Sequence, residues 1–119
     1  MKAIKFQILG KEWTLRILKR KAYIKKNGQN SVGITHLQKR RIDLHPKGRD
    51  LETIVHELLH AYLTELCTGS TDLEDDQLEE VFAELLAKRG REMLDLADSL
   101  YEQVTNLTTG IIEDLNNEI

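Results

Sequence analysis

Residues 50–67 read DLETIVHELLHAYLTELC, and the fold follows from how this stretch is read. Leu51, Ile54, Val55, Leu58, Leu59, Tyr62, Leu63 and Leu66 recur at helical spacing and form one wide apolar face. Asp50 is placed to cap the helix and Gly69 to stop it, so the spacing predicts a helix to about Cys67. In its middle stands His56-Glu57-Leu58-Leu59-His60, an H-E-x-x-H pattern on the margin of the apolar face. Four residues are slightly more than one turn, so both imidazoles leave one side of the helix, about 6 Å apart along its axis. That spacing lets two nitrogens share one Zn²⁺ at about 2.0–2.1 Å. Glu57, about 100° further round, suits a general base better than a ligand. Random order of a chain with four His would give the pattern on the order of one time in a hundred, so its amphipathic setting adds weight. The plain structural alternative is two hydrogen-bonded histidines on a core helix.

Upstream, the chain changes character. Ile4 to Leu9 and Trp13 to Leu18 flank Gly10-Lys11 as a strand pair, and Val32 to Leu37 and Arg40 to His45 read as two further strands. Lys19 to Lys26 reads either as a basic helix or as an irregular crossing, and Pro46-Lys47-Gly48 ends the sheet. Downstream, Thr71 or Asp72 caps a second helix to about Arg89, with a break or kink at Gly90 and helical spacing resuming through Val104. Strands first and helices after predict an α+β class, with a small N-terminal β-sheet packed on the H-E-x-x-H helix. The 119 residues are expected to form one domain: 1–50 basic and strand-rich, 51–108 acidic and helical, 109–119 frayed.

Charge is strongly divided. Through Asp50 there are fourteen Lys/Arg against three acids, and from Leu51 onward three Lys/Arg against seventeen acids. Mutual attraction of the two halves is one reading; a nucleic-acid surface is the sharper one, with Lys19-Arg20-Lys21, Lys25-Lys26 and Lys39-Arg40-Arg41 as a phosphate-binding stripe. Tyr23 is the one ring among these cations, which gives stacking on unpaired bases little support. No apolar run approaches the length of a spanning helix, the first ten residues lack the features of a secretion signal, and Cys67 is the single cysteine. A cytoplasmic protein without a membrane partner is expected.

A third zinc ligand has to come from outside this helix, and the acid-rich second helix is the natural donor. On a wheel drawn through Leu78, Val81, Phe82, Leu85 and Leu86, Glu79 falls on the edge of the apolar side, while Glu80 and Glu84 point largely outward. Glu79 is the expected ligand, Glu80 the substitute, and Asp75 a carboxylate able to orient a histidine. Cys67 lies about 10 Å past His60 along the helix, too far to share the ion, and is expected to be a buried structural cysteine. His45, beside Pro46, is expected as an exposed strand-end histidine, and His36 as a strand residue outside the motif.

Val55 to Ala61 (VHELLHA) and Leu78 to Leu86 (LEEVFAELL) together make the chain resemble the small gluzincin-type metallopeptidases with an SprT-like or minimal-zincin core, common in phage and mobile-element genomes. The resemblance spans roughly Val32 to Lys88. It implies zinc held by His56, His60 and a glutamate of the second helix, Glu57 as the base, and a protein or peptide substrate. It also implies that the strand before the active-site helix, Arg40 to His45, forms the rim of the cleft, where an extended substrate adds as a strand. The function expected is therefore zinc-dependent hydrolysis of peptide bonds. The alternative is a metal-stabilised nucleic-acid-binding or regulatory module with an inactive peptidase site, and a metal-dependent hydrolase of another substrate is a third possibility.

Overall fold

The computed structural model describes residues 2–66 and 75–108, with the backbone alone for Asp75, Asp76, Leu78 and Thr108. Expectations that fall on Cys67, Gly69, Thr71, Asp72 and residues 109–119 lie outside the described residues, as does the side chain of Asp75.

Strands β1 (Lys2–Ile8) and β2 (Lys11–Ile17) pair antiparallel with Ile8 opposite Lys11, which leaves Leu9 and Gly10 as a two-residue turn. Both turn residues have positive φ, 51° and 80°, the backbone that matches the twist of a tight hairpin and that glycine adopts without steric cost. Lys19 to Lys26 resolves into a helix, α1 (Arg20–Asn27), and the chain returns through β3 (Gly33–His36) and β4 (Arg41–Leu44). The sheet order is β1-β2-β4-β3, with β4 parallel to β2 and antiparallel to β3. The strand before the H-E-x-x-H helix is therefore internal. The resemblance implies that Arg40 to His45 forms the rim of the cleft; β4 instead uses both its edges for pairing, and the outer strand on that side is β3.

Alternation fixes the two faces of the sheet. Ile4, Phe6, Ile8, Trp13, Leu15, Ile17, Ile42 and Leu44 are buried on one face. Against them pack α2 (Leu51–Leu66), through Ile54, Leu58, Ala61 and Tyr62, and α3 (Asp75–Thr108), through Leu85, Met93, Ala97, Leu100 and Val104. Each large apolar side chain so buried contributes about 1.5–3 kcal/mol relative to exposure. Asp50 caps α2 as expected: its Oδ2 accepts the Thr53 N–H at 3.1 Å and its Oδ1 the Thr53 hydroxyl at 2.7 Å.

Helix α3 corrects the sequence reading, since it runs unbroken through Gly90 for 34 residues. One glycine costs a helix about 1 kcal/mol, which its good helix-forming neighbours and the packing beyond it outweigh. Among the described residues, no helix is long and apolar enough to cross a membrane.

Candidate metal centre

The local physics of α2 assigns its three polar motif residues to two environments. Ile54, Leu58 and Ala61 turn the helix into the core, so His56 and His60 face outward and are exposed, and Glu57 is carried round to the sheet side, where it is 6% exposed. The two imidazoles converge: Nε2 of His60 lies 3.3 Å from Nε2 of His56, with ring centroids 4.9 Å apart and the rings 73° from parallel. Two nitrogens bound at about 2.0–2.1 Å to one tetrahedral zinc stand about 3.3–3.4 Å apart. The separation matches that spacing, and it is equally the length of a hydrogen bond between the two imidazoles.

Glu57 is held by a residue that sequence reading missed. Thr35 Oγ1, on β3, donates to Glu57 Oε1 at 2.8 Å and lies 3.2 Å from the Glu57 carbonyl oxygen. Oε2 has no side-chain donor among the described residues. Two positions further back on the same face of the strand, Gly33 lets the helix come close: a Cβ there would stand 2.9 Å from Thr53 Cγ2, 3.2 Å from Glu57 Cγ and 3.3 Å from Glu57 Oε2. Nothing local in the sequence marks either residue, because their importance comes from contacts across 20 residues or more of chain. Val32, Gly33, Asp50, Glu52, Thr53, His56 and Glu57 line an open cleft of about 420 Å³ between β3 and the start of α2. As an outer strand, β3 leaves one row of backbone groups beside this cleft without a strand partner among the described residues.

Glu79 is exposed and lies six residues before Leu85, the first side chain of α3 recorded as buried. Glu80 and Glu84 are exposed too, and Glu84 pairs with Lys88 at 2.9 Å. Among the described residues, no three His, Cys, Asp or Glu side chains gather within reach of one metal ion, so His56 and His60 stand together and Glu79 apart from them.

The remaining candidates are engaged elsewhere. Tyr62 is buried and donates to Glu92 Oε2 at 2.8 Å, tying α2 to α3; burial and then that carboxylate push its hydroxyl well above the ordinary tyrosine range. Arg40 donates to Glu65 Oε1 at 2.6 Å, and the Trp13 indole N–H donates to the same oxygen at 2.9 Å. Burial alone would raise the Glu65 pKa, but these two donors outweigh it and keep the carboxyl low. His45, expected to be exposed, is 7% exposed: its Nδ1 accepts the Lys47 N–H at 3.0 Å and its ring meets Tyr23 edge-on. Closure of the chain over the strand end by α1 and the Pro46–Gly48 turn accounts for the difference, and burial, with Lys47 and Arg20 nearby, lowers its pKa.

The outer face of the sheet holds a buried carboxylate, Asp43, gripped by Arg16 through two bonds of 2.8 and 2.9 Å. His36 Nε2 stands 3.1 Å and Asn27 Nδ2 3.4 Å from Asp43 Oδ2, and Arg41 Nε stands 3.2 Å from Oδ1. Comparison with protein-family models, with curated proteins and with solved structures gives no match.

Proposed function

We propose that this chain is a zinc-dependent peptidase of the minimal-zincin type, with His56 and His60 as ligands, Glu79 of α3 as the third and Glu57 as the general base. The observation that carries the reading is the 3.3 Å separation of the two Nε2 atoms on an exposed helix side, beside a carboxylate held in place by a neighbouring strand. Zinc, when bound, acidifies water and polarises a carbonyl.

The chain's own residues do the rest. Thr35 fixes Oε1 of Glu57 and leaves Oε2 to take a proton from the attacking water and pass it to the departing amine. The free edge of β3 is suited to bind an extended segment of the substrate by main-chain hydrogen bonds, which tolerate many side chains, and so to orient the scissile bond along the cleft. Ligation by Glu79 requires the start of α3 to approach the imidazoles, closer than the described arrangement.

Metal analysis and a proteolysis assay test this together. The purified protein should carry about one zinc per chain, and Glu57→Gln should keep the metal while lowering peptide hydrolysis by at least about 10²-fold. His56→Ala and His60→Ala should lose the metal, and Glu79→Gln should weaken it. A purified protein that takes up no zinc sinks the reading, and hydrolysis unaffected by Glu57→Gln removes Glu57 from its role.

A further inference from the structure

Between Glu12 and Asp43 the chain contains nine Lys/Arg and no acid. Folding divides these cations into two groups. Arg16 and Arg41 close on the buried Asp43, and Arg40 on Glu65, so the Lys39-Arg40-Arg41 end of the expected stripe is largely neutralised internally. On α1 the opposite holds. Tyr23 turns inward and Asn27 reaches Asp43, which leaves Lys21, Lys25 and Lys26 on the outward side, exposed and with no carboxylate partner among the described residues. Arg20, on the same helix, and Lys47, on the turn after β4, meet at a groove of about 320 Å³ also lined by Ile24, Gln29, Ser31, Val32 and His45. No acidic side chain lines it.

We infer that α1 and this groove form a binding surface for the phosphate backbone of duplex DNA, with Arg20 and Lys47 on one phosphate and Lys21, Lys25 and Lys26 along its neighbours. Charge complementarity selects a polyanion. The outward side of α1 carries no ring, and the apolar side chains at the groove, Ile24 and Val32, are a pair flanked by cations rather than a broad apolar face, so the surface offers neither a stacking platform for unpaired bases nor a face to sink into a bilayer. A helix about 10–12 Å across fits the B-form major groove, about 12 Å wide, and not the narrow one of duplex RNA. The surface stands on residues separate from His56, Glu57 and His60 and does not depend on the peptidase reading.

Fluorescence anisotropy of the full chain on a labelled 20-base-pair DNA tests the assignment. Each phosphate contact contributes about −0.9 to the log–log salt slope, so five give up to about −4.5, a loss of roughly 500-fold in affinity between 50 and 200 mM salt. The Lys21→Ala/Lys25→Ala/Lys26→Ala triple variant and the Arg20→Ala/Lys47→Ala double variant should each weaken binding at least about tenfold at 50 mM salt and flatten the slope. Their circular dichroism melts should match the parent, and His56→Ala should leave the affinity unchanged. The assignment is overturned by no binding to DNA at 50 mM salt, by equal affinity in both variants, by a loss in His56→Ala, or by tighter binding to duplex RNA or to phosphatidylcholine–phosphatidylserine vesicles.

Discussion

At the scale of single residues, the most informative contact joins Thr35 to Glu57. Glu57 is buried, so its carboxylate loses hydration on folding, and the Thr35 hydroxyl at 2.8 Å returns part of it. Thr35→Val is close in shape and lacks the donor. It should lower stability by about 1–2 kcal/mol in urea unfolding, and Thr35→Ser should restore most of that loss. A change below about 0.5 kcal/mol in the valine variant would show that water satisfies Glu57 equally well. The same contact explains why the sequence revealed only part of the site. His56, Glu57 and His60 share one helix, so their spacing alone brings them near each other. Thr35 and Gly33 join them only once β3 lies against α2, and neither residue type announces that role.

At the scale of elements, α2 and α3 differ in how well their faces were legible. α2 packs on both the sheet and α3, and Ile54, Leu58 and Tyr62 of its expected apolar face are buried, joined by Ala61, while Leu51 and Leu66 at its two ends stay exposed. α3 is longer, about 51 Å at 1.5 Å per residue against about 24 Å for α2. α2 and β1 cover only part of its length and circumference, so Phe82, Leu86, Leu94 and Tyr101 remain 39–50% exposed although they recur with helical spacing. Gly90 sits inside this helix, and among the described residues a Cβ built there would meet only Leu86 Cδ2, at 3.8 Å. Gly90→Ala should therefore stabilise the protein by about 0.5–1 kcal/mol, read as a rise in the thermal midpoint. A fall in the midpoint would mean that the helix needs the glycine for a bend or a close approach.

At the scale of the whole molecule, the division of charge between the two halves becomes a fold with internal ion pairs and a residual basic surface. Burial pushes the Asp43 pKa up, but Arg16, Arg41 and Asn27 together outweigh it and hold the carboxyl below the ordinary aspartate range. A depressed carboxyl pKa supplies stability that is complete above the unfolded value, about 3.9, and is lost as pH falls through the folded one. His45 acts earlier: its depressed pKa supplies stability present above about 6.5 and lost as protonation sets in below that. Urea midpoints should thus decline in two stages, first below about pH 6.5 and again below about pH 4. The Glu65 and Asp50 carboxyls have depressed pKa values as well, so Asp43→Asn should shrink the lower stage without abolishing it, and should cost about 3 kcal/mol at pH 7, since it leaves two guanidinium groups without their partner. A single decline unaffected by that variant would deny Asp43 its part. By itself the sequence determined the β-hairpin, the capped H-E-x-x-H helix and the α+β order, because turn geometry, capping and the periods of 2 and 3.6 residues are properties of neighbours along the chain. Which strand forms the edge, which charges are buried, how far α3 continues and what holds Glu57 were decided only by tertiary structure. Pairing and burial depend on residues distant in the chain, and their free energy exists only after those residues have met.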